Sequence, residues 1–279
     1  MRKYYILLLI MATLTGSCGA KTADGSNSGE AETEVLFKTN VGDFRVKLYN
    51  ETPEHKNNFI KLVQENMYDS LLFHRVIRNF MVQGGDPESK NAPKGERLGA
   101  GDLGYTLPAE FIFPKYYHKR GALSAARQAD QVNPDRRSSA SQFYVVTGKK
   151  YSESELHDMA RQLNQQERQN LFNNLCTERR DEIIRMQREN DEAGLTRLEK
   201  ELNQQLDSIT SKTGPFKFTQ EQISTYTTIG GAPFLDNQYT VFGEVVEGME
   251  TIEKIEKART DRNDRPVDDI IILSASIVE

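Results

Sequence analysis

The sequence has few of the residues from which disulfide frameworks and metal sites are built. It contains 2 cysteines, Cys18 and Cys176, and 4 histidines in 279 residues. If Cys18 carries a lipid, Cys176 has no partner within the chain, and the fold must rest on its hydrophobic core. The histidines lack the spacing of metal ligands, so we predict no metal and no other cofactor. The formal net charge of −5 argues against nucleic acid as the main partner.

The sequence also lacks an apolar run long enough to span a membrane, which needs about 20 residues. Its short apolar run, Tyr4–Leu14, follows the basic residues Arg2 and Lys3. This arrangement predicts a secretory signal peptide over residues 1–17. The small residues directly before Cys18 resemble a bacterial lipobox, so Cys18 is the predicted lipidated first residue of the mature protein. The alternative is an ordinary signal peptide with an incidental cysteine.

Residues 18–33 are predicted to form a flexible tether. The stretch after Cys18 has no apolar residue larger than alanine, and such a segment cannot bury enough surface to offset its ordering entropy. A lipid on Cys18 would make the membrane a partner and would place the protein in the bacterial cell envelope. Gly19 resembles the signals that permit transfer to an outer membrane, so the periplasmic face of that membrane is the expected location.

Strands dominate the pattern before residue 151. The apolar residues Phe44, Val46 and Leu48 alternate with charged ones, which is typical of a half-buried strand. Thr52 and Pro53 predict the start of a helix, with threonine as the N-cap and proline at the first helical position. The predicted strands lie within Val35–Tyr49, Ser70–Gln83, Gly121–Ala126 and Gln142–Thr147.

The pattern changes to that of helices over residues 151–229. Ser152 and Glu155 match a capping box and open a long polar helix. Gly194 is the predicted break in this helix, and a second apolar stripe with helical spacing follows it as far as Gly214. This pattern predicts an α-helical hairpin whose stripes pack on each other. A surface that binds a protein partner is the alternative.

The strand pattern resumes after the helical block, with predicted strands at Tyr239–Val246 and Ile270–Val278. Neither flanking β segment is long enough to bury a core alone. We therefore predict one β domain that carries one helical insertion. The predicted boundaries are 34–150 for the first part of the β domain, 151–229 for the insertion and 230–279 for the second part.

The most informative stretch is Phe73–Asp86, which reads FHRVIRNFMVQGGD. It places Arg75 on a strand among apolar neighbours, with an aromatic, a thioether and an amide side chain close behind. An arginine fixed beside an apolar pocket can hold the polar backbone around a prolyl ring while that ring is buried. Together with Gly121–Arg127 (GALSAAR), Ser141–Val146 (SQFYVV) and Phe234–Val245 (FLDNQYTVFGEV), in this order, the stretch resembles the cyclophilin family.

The resemblance covers the whole family domain, interrupted once by the helical block. It implies a mainly β fold, namely a closed eight-stranded antiparallel barrel with two capping helices. The implied activity is peptidyl-prolyl cis/trans isomerisation, with proline-containing unfolded or exported polypeptides as substrates. The alternative, from another functional class, is a non-catalytic proline-motif binding module or a holdase chaperone that uses the helical insertion.

The resemblance also implies which residues form the site. Arg75 is the implied catalytic donor, and Gln83 orients it. Phe234 stands where eukaryotic members often have tryptophan, so tight binding of cyclosporin-type ligands is not expected. The implied substrate-binding residues are Phe80, Met81, Tyr144 and Leu235 in the proline pocket, Ala126, Arg127 and Gln142 on its rim, and Phe234 and Tyr239 beside it.

Arg75 and its neighbour His74 also have plainer interpretations. Alone, Arg75 would be an exposed strand cation in a surface salt bridge. His74 alternates with Arg75 on the predicted strand, so the two side chains point to opposite faces. We therefore predict that His74 is a structural histidine and not a catalytic base.

Overall fold

The computed structural model describes residues 31–278, so the predicted signal peptide, the predicted lipidation site Cys18 and most of the predicted tether lie outside the described residues. The described part contains ten strands and six helices. Their bounds are β1 Glu34–Thr39, β2 Gly42–Leu48, α1 Pro53–Gln64, β3 Arg75–Ile77, β4 Met81–Gly84, β5 Thr106–Leu107, β6 Ala122–Ala125, β7 Ser138–Ser139, β8 Phe143–Val146, α2 Glu153–Glu178, α3 Arg180–Arg188, α4 Glu192–Thr213, α5 Gln220–Thr228, β9 Val241–Glu247, α6 Met249–Glu256 and β10 Ile272–Val278.

Eight strands form one curled antiparallel sheet in the order β10-β1-β2-β9-β6-β8-β4-β3. Strands from before and after the helical block are therefore neighbours in one sheet. The short strands β5 and β7 form a separate two-stranded sheet that the sequence pattern did not predict.

The predicted closed barrel is wrong, because the edge strands β3 and β10 do not pair. β3 has only three residues, and the Val76 N–H donates to the loop carbonyl of Asp264 at 2.8 Å instead of to β10. The two edges approach each other just before β3, where Leu72 forms an isolated bridge with Ile271. The sheet is thus an eight-stranded half-barrel.

The core fills the concave side of this sheet with aromatic rings. Phe37 of β1 and Phe44 of β2 are directly paired, and their rings stack with centroids 4.9 Å apart. Phe59 of α1 and Phe143 of β8 pack on the same group, with their own centroids 5.7 Å apart. Each ring is at most 3% exposed, and burial of each contributes about 1.5–3 kcal/mol.

Helix α1 begins at Pro53 as predicted, but Thr52 is not its side-chain cap. The Thr52 hydroxyl donates to the carbonyl of Tyr49 at 3.2 Å. The carboxylate of Glu110 instead accepts hydrogen bonds from the backbone N–H groups of Glu54 and His55, at 3.1 and 3.0 Å. A carboxylate from elsewhere in the chain thus satisfies the free donors at this helix end.

The insertion contains four helices, α2 to α5, so the predicted two-helix hairpin is not confirmed. The Ser152–Glu155 capping box at the start of α2 is present as predicted. α4 runs antiparallel to α2, since Arg168 pairs with Asp207 at 2.9 Å and Arg179 with Glu201 at 3.3 Å. Across residues 31–278, no helix is long and apolar enough to cross a membrane.

The predicted helix break at Gly194 is also wrong, because α4 already begins at Glu192. The chain turns at Asn190, whose φ is 55°, and the Asp191 carboxylate accepts the Gly194 N–H at 2.8 Å as the N-cap. A Cβ at position 194 would lie 2.1 Å from the Asp191 Oδ2 atom. The glycine therefore permits a close helix cap and does not end a helix.

Candidate active site

The β3–β4 hairpin places Arg75 directly opposite Gln83. Arg75 Nη1 donates to Gln83 Oε1 at 3.4 Å, and Arg75 Nε lies 3.8 Å from Asp264 Oδ2. Both contacts are long, and the Arg75 side chain is 44% exposed. An ion pair of this kind stabilises a fold by less than about 1 kcal/mol. The guanidinium is thus held in position, but these contacts do not use all of its N–H groups. It therefore keeps hydrogen-bond donors for a ligand.

Gln83 is held from behind by Gln142. Gln83 Nε2 donates to Gln142 Oε1 at 3.0 Å, and Gln142 Nε2 donates to the Gly101 carbonyl at 2.7 Å. Both glutamines are buried. These bonds fix the amide orientations, since each nitrogen donates and each oxygen accepts, and they direct Gln83 Oε1 towards Arg75.

A cavity of about 550 Å³ opens beside Arg75. Phe80, Met81, Tyr144 and Leu235 supply its apolar side chains, and Met81, Tyr144 and Leu235 are buried. Nine of the eleven implied site residues line this cavity, namely Arg75, Phe80, Met81, Gln83, Ala126, Arg127, Tyr144, Leu235 and Tyr239.

The other two implied residues, Gln142 and Phe234, are not among the residues that line the cavity. Gln142 lies behind Gln83, and both ends of its amide are used within the protein. Phe234 is 37% exposed and packs on Phe80, with ring centroids 5.3 Å apart. Sequence order places these two residues near the site, whereas packing decides which neighbours face the cavity.

One wall of the cavity is built from Arg127 and Tyr239. The Arg127 guanidinium carbon lies 4.3 Å from the centroid of the Tyr239 ring, and Arg127 Nη1 pairs with Asp130 at 2.6 Å. The Arg127 side chain is only 3% exposed, so it is a fixed part of the wall and not a mobile cation. The Ala126 N–H donates to the Gln142 carbonyl at 2.9 Å, which ties this wall to the Gln83 side of the site.

Tyr144 forms the floor of the cavity, and its hydroxyl contacts a residue that sequence reasoning missed. The hydroxyl lies 3.1 Å from His118 Nε2, and His118 Nδ1 lies 2.9 Å from Asp236 Oδ1. Burial raises the pKa of Tyr144 well above its usual value, so the floor stays uncharged. His118 carries no motif signal, whereas Asp236 lies within the FLDNQ motif but was not singled out.

His74 is buried at 2% exposure, in contrast to Arg75. Burial lowers its pKa to about 4, because the charged imidazolium is poorly solvated there. An unfolded histidine has a pKa of about 6.5, so between these two values the unfolded chain binds the extra proton. The neutral form of His74 at pH 7 therefore contributes to the free energy of unfolding. This contribution is lost as the pH falls from 6.5 towards 4.

Replacing His74 with leucine is expected to remove this pH dependence. Linkage predicts that the wild type loses about 2 kcal/mol more unfolding free energy than His74→Leu between pH 7 and pH 5. Urea unfolding of both proteins at the two pH values measures the difference. Equal losses in the two proteins would show that His74 does not titrate in this way.

Within residues 31–278, no group of three or more His, Cys, Asp or Glu side chains is arranged to hold a metal ion. The cavity combines its apolar side chains with arginine guanidinium groups, the amide of Gln83 and the carboxylate of Asp264, and burial lowers the pKa of its histidine, His74, to about 4. Such an arrangement suits binding and hydrogen bonding better than covalent chemistry.

Comparison with known families supports the same chemistry. The family model described as "Cyclophilin type peptidyl-prolyl cis-trans isomerase/CLD" matches residues 34–177 and 182–277. A protein of Staphylococcus saprophyticus named "Putative peptidyl-prolyl cis-trans isomerase" is 27% identical over 250 residues, which cover 89% of this chain and 93% of that protein. A protein of the same name from Staphylococcus aureus strain USA300 is 26% identical over 253 residues, with 90% and 94% covered.

Solved structures show the same fold. The crystal structure of a cyclophilin-type peptidyl-prolyl cis-trans isomerase from Cryptosporidium parvum matches with a TM-score of 0.51 and 19% identity, over 89% of this chain and 98% of that one. A crystal structure of that protein in the presence of the dipeptide Ala-Pro matches with a TM-score of 0.50 and 19% identity, over 88% and 99% of the two chains.

Proposed function

This chain belongs to the cyclophilin-type peptidyl-prolyl cis-trans isomerases, and we propose that it speeds rotation about X-Pro bonds by hydrogen bonding from Arg75 to the twisted prolyl amide. Rotation about a peptide C–N bond has a barrier of about 18–20 kcal/mol, because twisting destroys amide resonance. For X-Pro the two isomers are close in energy, yet they exchange over roughly tens to hundreds of seconds. A catalyst must therefore favour the twisted amide over both planar forms.

The observation that carries the proposal is the placement of Arg75 in the lining of a cavity that also contains a group of apolar side chains. The cavity holds the proline ring against Phe80, Met81 and Leu235. The Arg75 guanidinium, oriented by Gln83 at 3.4 Å, donates to the prolyl amide as its nitrogen becomes pyramidal. The guanidinium stays charged at any physiological pH, and no bond is made or broken, so the reaction needs no cofactor.

The substrates that we propose are proline-containing segments of unfolded or exported polypeptides. A prolyl ring in a folded domain is seldom free to enter a cavity, whereas an unfolded chain exposes it. The Cryptosporidium relative was crystallised in the presence of Ala-Pro, and we propose that the apolar side chains of the cavity accept the same ring here. We also propose that lipid on Cys18 anchors the enzyme in the bacterial cell envelope, on the periplasmic face of the outer membrane.

A second candidate function is a holdase that uses the helical insertion. A groove of about 500 Å³ lies between the insertion and the β domain, and Phe113, Leu163 and Phe216 give it an apolar lining. Gln238 lines this groove and neighbours Tyr239 of the cavity wall. A long unfolded chain bound in the cavity can reach this groove, whereas a short peptide cannot fill both.

Removing the outer part of the insertion separates these two functions. A cut through the whole insertion would remove Leu156, which is fully buried and packs with Tyr226. The better variant lacks residues 168–207, whose ends meet where Arg168 pairs with Asp207 at 2.9 Å. It also carries Phe216→Ala, because the deleted residues include only Asn170 of the groove lining. A short glycine-serine linker then joins Glu167 to Ser208.

We expect this deletion to leave kcat/KM for a short Ala-Pro peptide within about twofold of the wild type, since it holds no cavity residue. A second assay follows the refolding of a denatured protein whose refolding is limited by proline isomerisation. We expect the deletion to lower the rate of this catalysed refolding several-fold more than it lowers peptide turnover. The full chain is the control for both assays, and circular dichroism establishes that the variant is folded. Loss of peptide turnover in a folded deletion variant would contradict the separation of the two functions.

A further inference from the structure

Four buried side chains form a continuous hydrogen-bonded row from the helical insertion to the cavity floor. The Tyr226 hydroxyl, carried by α5, donates to Asp236 Oδ2 at 2.6 Å. Asp236 Oδ1 lies 2.9 Å from His118 Nδ1, and His118 Nε2 lies 3.1 Å from the Tyr144 hydroxyl. All four residues are at most 4% exposed, so water does not compete for these bonds.

With the His118 imidazole neutral, the chemistry of each group sets the direction of the bonds. A carboxylate only accepts, so Tyr226 and His118 Nδ1 both donate to Asp236. In the neutral imidazole the other nitrogen, Nε2, is then an acceptor, and it takes the hydroxyl proton of Tyr144. The Asp236 carboxylate also accepts the His118 backbone N–H at 2.8 Å, which holds the histidine by two bonds.

This direction matters for the proline pocket. As long as Tyr144 donates to His118, its hydroxyl proton points away from the cavity, and the cavity floor presents the face of an aromatic ring. If the row is broken at its far end, Asp236 loses the donor on Oδ2 and can move or turn, which frees His118. The Tyr144 hydroxyl is then free to point its proton elsewhere, and a wetter, more polar floor suits a proline ring less well.

We propose that Tyr226 is a positioning residue for the proline pocket and acts through Asp236 and His118 on the Tyr144 hydroxyl. The inference rests on the proposed function of the cavity. It gives the insertion a structural part in catalysis, because α5 belongs to the insertion. Tyr226 packs with Leu156 of α2 and Ile223 of α5 in one buried cluster, so the anchoring of α2 also bears on the pocket.

A double-mutant cycle tests this proposal. Tyr226→Phe keeps the ring and removes only the hydroxyl donor, and we expect kcat/KM for a short Ala-Pro peptide to fall about fivefold, as for the loss of one buried hydrogen bond. In a Tyr144→Phe background, whatever its own rate, the same change should have no further effect, since no hydroxyl remains to be oriented.

Tyr117→Phe is the matched control. The Tyr117 ring lies 5.7 Å from that of Tyr226, and its hydroxyl contacts Thr225 at 3.0 Å and Glu221 at 3.3 Å without joining the row. We expect it to leave kcat/KM at the wild-type value. Urea unfolding sets an assay temperature at which every variant is folded.

NMR of the His118 ring gives a readout that does not depend on turnover. Its resonances should shift in Tyr226→Phe and stay in place in Tyr117→Phe. The proposal is overturned if Tyr226→Phe lowers kcat/KM equally in the wild-type and Tyr144→Phe backgrounds. It is also overturned if Tyr226→Phe, like Tyr117→Phe, changes neither kcat/KM nor the His118 resonances. If the wild type does not speed X-Pro exchange but the His118 resonances still shift in Tyr226→Phe, the result would instead contradict the proposed function.

Discussion

Replacing Arg75 with alanine is expected to lower kcat/KM for an Ala-Pro peptide by about 100-fold or more. The Arg75 guanidinium is a charged donor in the cavity lining, and it is only loosely engaged by Gln83 and Asp264. Each loss of about 1.4 kcal/mol of transition-state stabilisation costs a factor of ten in rate. Exchange spectroscopy on the peptide, with wild type and variant at equal concentration, measures the effect.

The binding of the ground-state peptide should change far less, because the apolar side chains of the cavity remain. Arg75→Lys is the matched variant, since it keeps the charge but loses the planar fork of donors. We expect its kcat/KM to lie between those of the wild type and the alanine variant. If Arg75→Ala turns over the peptide as fast as the wild type, the proposed role of the arginine is wrong.

The second large effect is expected at Gly231, where the chain returns from the insertion to the β domain. A Cβ there would lie 2.2 Å from the His118 carbonyl oxygen and 2.6 Å from Tyr226 Cε1. Backbone on one side and a fully buried ring on the other leave no room for a methyl group. We expect Gly231→Ala to lower the unfolding free energy by about 3 kcal/mol.

Gly104→Ala provides the control for this substitution. Gly104 has a φ of 80°, and a Cβ built there has no non-neighbouring atom within 4 Å. Only the positive φ is strained, so the expected loss is about 1 kcal/mol. Urea unfolding measures both variants, and equal losses would show that the contacts around Gly231 relax at little cost.

Local patterns are enough to bring two of the implied site residues together. The sequence predicts strand structure within Ser70–Gln83, and the structure sets Arg75 and Gln83 directly opposite each other on a hairpin. The two residues are eight positions apart, so turn and strand signals are enough to bring them together. The capping box at Ser152 is equally local, and it is present.

The features that the sequence pattern missed depend on contacts between distant segments. Asp236 meets His118 across 118 positions, and Glu110 caps α1 from 55 positions away. No periodicity encodes such pairs. The unpaired edge of β3 has the same origin, because a loop carbonyl of Asp264 takes the place of β10.

The family resemblance predicts which residues lie near the cavity, but it does not predict which of their side chains face it. Gln142 and Phe234 occupy the expected places in the chain and are nevertheless absent from the cavity lining. Gln142 is drawn behind Gln83 by two backbone carbonyls, and Phe234 lies outside on Phe80. Side-chain packing and hydrogen-bond demand decide such cases, and neither can be read from a motif.

The most direct test of the account is exchange spectroscopy on a short Ala-Pro peptide with catalytic amounts of the purified full chain. Without enzyme, the cis and trans resonances exchange over roughly tens to hundreds of seconds. We expect exchange cross-peaks between the two isomers with the wild type and their loss with Arg75→Ala. Exchange that stays at the uncatalysed rate with the folded wild type would contradict the account.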